Sequence, residues 1–396
     1  MFKYDIFSIF INIFNCLFKL CWCFSKFSIN MLHKILFTCE TEFKRGADMI
    51  DFMLTLCIGA VFGYMFFKLK VPGGMMVGSI IGVSALNILT GHALMPAAAK
   101  LSAQIIAGAF IGVSVEKEDL IRLKKIWRPA ITLVSGMMVL NLISGYLIYK
   151  FSPLDLVTSL MCAVPGGMSD IPIISADMGA DASKVAVMQF IRLVAGIGVF
   201  PGMIAFIAKR RHEDVRPVKV NTRKSAVTED PTLIFLMTMA VAIVAGLVGK
   251  AVGIPAGALL FALISVIILK MTKHKAWLPK WIKRLAQVLS GAYIGSGIFM
   301  ADVLEIRYLA IPAIILLSGY FCACLLIGWF IHNKFGMTLK ESMLAATPAG
   351  ASDMALIASD LGIEGTDVVV LQIIRMLFVV LIFPQVINLI VLLAGR

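Results

Sequence analysis

Two residues able to hold charge in an apolar setting mark this chain. Asp170 follows Ser169 and the run Pro165-Gly166-Gly167, and Arg192 stands three residues after Gln189. A carboxylate at bilayer depth is costly unless paired or hydrated, which makes it a natural seat for H⁺ or Na⁺. Arginine cannot shed its charge there, and its guanidinium is a ready partner for an anion. The spacing of Gln189 and Arg192 puts both on one helix face. The same set recurs as Ser352, Asp353, Gln372 and Arg375, behind Pro348-Ala349-Gly350. These residues form the candidate substrate- or ion-binding set, and the two Pro-Gly runs are candidate backbone breaks. Each also has a blander role open to it. Ser and Asp are ordinary helix N-caps, and an arginine can clamp its neighbouring aspartate. The expectation is that each arginine pairs with the aspartate of its own repeat, and that Asp177 and Asp360 lie near the mouth, capping the next turn.

The recurrence belongs to a duplication that runs through the chain at a constant offset of 183 residues. Gly63 meets Gly246, Pro72 meets Pro255, Gln104 meets Gln287, Asp119 meets Asp302 and Pro129 meets Pro312. Shared hydrophobicity cannot produce matches among Gly, Pro, Gln and Asp. Gly108 with Gly112, and Gly291 with Gly295, repeat a small-xxx-small pattern that lets helix backbones approach closely, and Gln104 and Gln287 one turn earlier read as part of that packing.

The positioning elements are apolar helices. Each copy holds five crossings, read as 50–67, 71–90, 97–115, 128–150 and 185–208, then 232–250, 254–270, 285–300, 308–331 and 368–393. If each Pro-Gly stretch turns back, the odd number inverts copy two relative to copy one. The loops of one face then carry 22 Lys and Arg and those of the other 6. A stretch that crosses fully gives a far more even split. Positive-inside topology therefore favours inversion, with the basic loops cytoplasmic. Each stretch reads as a re-entrant hairpin, with a first half-helix near 155–164, a break at Pro165-Gly166-Gly167 and a returning half-helix. The fold class is all-α and polytopic, with two inverted repeats of five transmembrane helices plus a re-entrant or broken hairpin each.

Composition agrees: 60% hydrophobic residues and a mean hydropathy of +0.94 describe a chain folded in lipid. The net charge of +13 sits in loops, so nucleic-acid binding is not expected. The four span cysteines read as small hydrophobes. The histidines cluster with no carboxylates in a span, so no metal site, no cofactor and no enzyme activity are expected. Residues 1–48 are rich in Phe, Ile, Lys, Cys and Asn, unlike the rest, and read as a non-native or disordered extension. Lys44-Arg45-Gly46 is what a purine-rich ribosome-binding site would spell as codons, which points to translation from Met49. Repeat one then covers 49–208, a basic cytoplasmic linker 209–230, and repeat two 231–396.

Pro165, Gly166, Gly167, Ser169 and Asp170, followed by Gly179, Ala180, Asp181, Val185, Gln189 and Arg192, resemble the AbrB family of bacterial membrane proteins. The resemblance covers about 50–396, and the second copy departs from it at Ala349 and Glu364. That family is labelled an ammonia monooxygenase or its regulator, and shares its name with an unrelated soluble DNA-binding protein. Its plan is similar to that of cation/proton antiporters and anion transporters. The resemblance implies transport without naming a substrate. Interrupted helices, an inverted repeat and ionisable residues near the midplane are the pattern of secondary transporters. The expectation is a multi-pass protein of the bacterial inner membrane, moving a small polar or anionic solute or the cation itself by alternating access. Its partners are the bilayer and that solute, with a homodimer left open. A membrane regulator is the alternative reading, and a monooxygenase a weaker one.

Overall fold

The computed structural model describes residues 46–210, 231–273, 276–348 and 366–393. The extension up to residue 45, the linker from 211, and Ala349, Gly350, Ser352, Asp353 and Asp360 lie outside the described residues. The chain divides after Asp51 into two compact units, and the architecture below is that of the second.

Among the described residues there are helices and no strands. The first repeat holds α1 (Gly46–Lys68), α2 (Gly74–Thr90), α3 (Ala97–Ser114), α4 (Lys117–Phe151), α5 (Leu156–Cys162), α6 (Ile171–Asp177), α7 (Ala182–Gly198) and α8 (Phe200–Arg210). The second holds α9 (Pro231–Val252), α10 (Gly257–Lys273), α11 (Lys280–Ser296), α12 (Met300–Glu305), α13 (Ala310–Phe335), α14 (Leu339–Ala346), α15 (Thr366–Leu381) and α16 (Phe383–Leu393). The starts of α10, α11, α12, α14 and α16 each fall 183 residues after those of α2, α3, α4, α5 and α8. The duplication read from Gly and Pro is therefore a duplication of helices.

Among the described residues, seven helical stretches are long and apolar enough to cross a membrane. Their outer faces carry large apolar side chains such as Val244, Ile314 and Leu326, all more than half exposed. Water would not tolerate so much of this surface, whereas lipid is its natural solvent. The protein is a polytopic membrane protein. Of the ten crossings read from sequence, α2, α10 and α11 are 17 residues each. At roughly 1.5 Å per residue they span roughly 25 Å, short of a full hydrocarbon core. α11 also starts earlier than the crossing read from sequence, with Lys280, Lys283 and Arg284 in its first turns, and ends at Ser296.

The repeats interlock. α2 packs on α11 and α3 on α10, and α4 lies along α13. Glycines allow this closeness. A Cβ at Gly112 would meet the Leu263 carbonyl at 2.8 Å, and one at Gly295 the Ile80 carbonyl at 2.8 Å. Leu263 and Ile80 are themselves repeat equivalents, so the same joint is built twice. Gly108 abuts the Leu259 carbonyl and Gly291 the Met76 carbonyl in the same way.

α4 and α13 are both interrupted near their starts. Pro129 lacks the N–H that would reach Lys125 and crowds that carbonyl, and Ile126 accordingly leaves the helical region (φ −109°, ψ 24°). In repeat two the chain tightens into a 3₁₀ turn at Ile306–Leu309, just ahead of Pro312. Arg122 and Glu305 lie on the entrance segments ahead of these interruptions.

Candidate functional site

Pro165 ends the first half-helix. It disfavours the helical region for Val164 before it and supplies no donor itself, so α5 stops at Cys162. The chain then runs through Gly166 and Gly167 and restarts at Asp170, with Pro172 in the first turn of α6. α5 and α6 are seven residues each, too short to span a bilayer together. Gly179 turns in the left-handed region (φ 74°). Asp181 then caps α7 by accepting from Ser183 N and Lys184 N at 3.1 and 3.2 Å. The Asp181 N–H donates to Thr158 Oγ1 at 2.9 Å. The stretch therefore ends beside the point where it began.

Gln189 and Arg192, on one face of α7, reach the opened backbone. Gln189 Nε2 donates to Val164 O at 3.1 Å, and Arg192 donates from Nη1 to Val164 O at 3.4 Å and from Nη2 to Gly166 O. Carbonyls that lost their helical partners at the break are satisfied in this way. Repeat two does the same. Gln372 Nε2 donates to Leu344 O at 2.8 Å, and Arg375 Nη1 to Thr347 O at 2.5 Å. Leu344 and Thr347 are the repeat equivalents of Met161 and Val164. Both arginines are buried, at 2% and 4% exposure. They lie within electrostatic reach of each other and beside the Tyr320 hydroxyl, which donates to Ala163 O at 2.7 Å.

The expected Arg192–Asp170 pair is absent. Among the described residues no carboxylate lies within ion-pair distance of Arg192. The reason is the break itself. Arg192 faces the carbonyls that end α5, whereas Asp170 opens α6 on the far side of the turn. Asp170 is buried and makes no side-chain cap bond to its own helix. Its side chain is hydrogen-bonded with Ser169, and the Lys283 charge acts on it electrostatically. Asp177 also differs from expectation. It closes α6, pairs with Lys100 at 2.5 Å and accepts from Gln104 Nε2 at 2.5 Å, and the cap of the next helix belongs to Asp181. Gln104 thus ties the hairpin to α3 as well as sitting in its packed face. Pro348 is buried at the end of α14.

Sequence reading passed over two features. Tyr320 has no repeat counterpart, since Met137 holds the equivalent place, and a search for repeated polar residues skips it. The other is a pair of ion pairs. Arg122 meets Asp367 at 3.3 Å, and Lys184 meets Glu305 at 2.7 Å and Asp181 at 3.1 Å. Arg122 and Glu305 are repeat equivalents, and so are Lys184 and Asp367. One bridge is thus built twice with its signs exchanged, which a search for conserved residue type cannot detect. A cavity of about 540 Å³ borders the first, lined by Lys125, Arg128, Lys334, Glu341 and Asp367. A cavity of about 260 Å³, lined by Asp181, Ser183 and Tyr293, borders the second. Burial alone would raise the Asp181 carboxyl. Hydrogen bonds from Ser183 and Lys184, with the Lys184 charge, outweigh it and hold the group below the usual range. Among the described residues no three His, Cys, Asp or Glu side chains gather as a metal-binding group.

The profile of the family described as "Transition state regulatory protein AbrB" matches residues 75–391. A Bacillus subtilis (strain 168) protein, "Uncharacterized protein YhjN", is 25% identical over 359 residues, covering 86% of this chain and 93% of that protein. An Escherichia coli (strain K12) protein, "Putative regulator AbrB", is 24% identical over 330 residues, covering 81% of this chain and 91% of that protein.

Proposed function

We propose, from the premise that this chain belongs to the AbrB family, that it is a secondary active transporter working by alternating access in the bacterial inner membrane. The observation that carries the reading is the returning hairpin at Pro165–Asp170. Its broken backbone is held by buried Gln189 and Arg192, and Arg375 of the other repeat lies within electrostatic reach of Arg192. Irregular backbone at membrane depth, lined by ionisable side chains at a repeat interface, is where secondary transporters bind their cargo.

In this reading the repeats are inverted. With hairpins that return, counting crossings puts Glu116 and Lys270 at one face, and Asn87 and Ile298 at the other. With stretches that cross, each pair would be split between faces. Lys270 Nζ lies 2.8 Å from Glu116, and Asn87 Nδ2 donates to Ile298 O at 3.0 Å, which supports inversion. The two sign-exchanged ion pairs then lie at opposite faces, Arg122–Asp367 on the basic cytoplasmic side. We read them as opposed latches that open in turn, and the state with both closed as occluded. Asp170, buried with no ion-pair partner among the described residues, is the seat of the coupling H⁺ or Na⁺. Asp353 is its equivalent in the second copy.

The test is proton or sodium flux into proteoliposomes when acetate, succinate or glutamate is added under a gradient. Wild type should couple ion and solute movement, and Asp170→Asn should uncouple them. Equal coupled flux in both would refute the role of Asp170. The Escherichia coli relative's name carries a regulatory reading. A regulator would leave every such flux at the level of empty vesicles while altering gene expression on deletion.

A further inference from the structure

The buried centre between the repeats holds a guanidinium, that of Arg192, whose donors its protein surroundings do not all use. Arg192 spends two nitrogens on the Val164 and Gly166 carbonyls, while its Nε, also buried, has no hydrogen-bond partner. Gln189 already donates to Val164 O and, at 3.5 Å, to Met161 O, so a neutral side chain serves the break. The break therefore occupies only part of the Arg192 guanidinium. Arg375 brings a second one within electrostatic reach, and like charges in a low-dielectric site repel. Among the described residues no carboxylate lies in ion-pair range of Arg192, which is 2% exposed, so an anion from outside the chain would complement its charge.

We propose that Arg192, Arg375 and Tyr320 form the binding site for a carboxylate-bearing solute. This deepens the transporter reading and rests on it for the route by which the solute arrives. The Nε–H edge of Arg192 supplies one arm of the two-point contact that guanidinium makes with carboxylate. Arg375 neutralises the charge from the other repeat. Tyr320, where the equivalent position carries Met137, makes the site asymmetric, so the solute has a defined orientation. Asp170 lies across the break from this centre. Protonating it removes a negative charge that would oppose an incoming anion, which ties ion uptake to solute binding.

The test is thermal unfolding of the purified full-length protein in nanodiscs, with sodium acetate, succinate and glutamate titrated at constant ionic strength. A saturable rise in Tm with at least one of them is expected. Arg192→Lys keeps the charge and the reach to the break but loses the forked edge, and should weaken that response about tenfold. Tyr320→Phe should weaken it without altering the fold. No saturable response to any of the three, or one unchanged in both variants, overturns the site. The transporter reading fails separately. A saturable, Arg192-dependent rise with no flux in proteoliposomes keeps the site and removes transport. Coupled cation flux with no such rise keeps transport and removes the site.

Discussion

Removing Asp367 or Glu305 should bias the protein toward opposite faces, by an amount set by the two bridges. Arg122 and Asp367 are 3.3 Å apart with both side chains near half exposed, at 40% and 45%. Such pairs contribute about 0.2–1 kcal/mol. Lys184 is less exposed and shared by two carboxylates, at 2.7 and 3.1 Å, which places its contribution near the top of that range. Since 1.4 kcal/mol is tenfold, either loss should shift the balance of open forms by about 1.4- to fivefold, with the Lys184 pair toward the upper end. The assay is the labelling rate of single cysteines by an impermeant maleimide, with native Cys57 and Cys322 replaced because they are exposed. Met337→Cys reports the cavity on the basic face and Ser183→Cys the other. Asp367→Asn should speed labelling at position 337 and slow it at 183, and Glu305→Gln should do the reverse. The double exchange Arg122→Asp with Asp367→Arg should restore the original rates. If both single substitutions move both rates in the same direction, the latches are not opposed and the reasoning fails.

Further outcomes follow from the same contacts. Gly112→Leu or Gly295→Leu drives a side chain into a carbonyl of the facing helix, and should destabilise the protein by about 1–3 kcal/mol, read as lost thermal stability in detergent. Asp181, held below the usual carboxylate range, contributes stability that is present above the ordinary aspartate value of 3.8 and lost as pH falls through its lowered one. The Tm difference between wild type and Asp181→Asn should therefore persist at pH 7 and shrink only in stronger acid. Any pH dependence of flux near neutrality should instead vanish in Asp170→Asn, measured in proteoliposomes at matched gradients.

Much of this architecture was legible because the repeat preserves the residues that fix backbone geometry. Gly108, Gly112, Gly291 and Gly295 mark the interlocked joints, and Pro129 and Pro312 mark the interrupted entrances. Pro165 and Gly166 mark the break, and Gln189 and Arg192 the side chains that reach it. These signals survive because only glycine allows the approach and proline always removes a donor. The partner of Arg192 was not legible. Helix periodicity gives its face but not which edge of the break that face meets, and the structure gives it carbonyls instead of Asp170. The sign-exchanged ion pairs were hidden for another reason. Ion pairing needs opposite charges at two places, not a given residue at one, so exchanging the signs preserves the bridge and erases the match. Tyr320 escaped because it is the feature the repeats do not share.

The account stands most directly on the two repeats facing opposite sides of the membrane. Asp155 and Thr338 occupy equivalent positions ahead of α5 and α14, and both are exposed. Asp155→Cys and Thr338→Cys, introduced singly in intact cells, should differ in their reaction with an impermeant maleimide. Position 155 should label from outside, and position 338 only after the membrane is permeabilised. Labelling of both from the same side would contradict inversion, and with it the opposed latches.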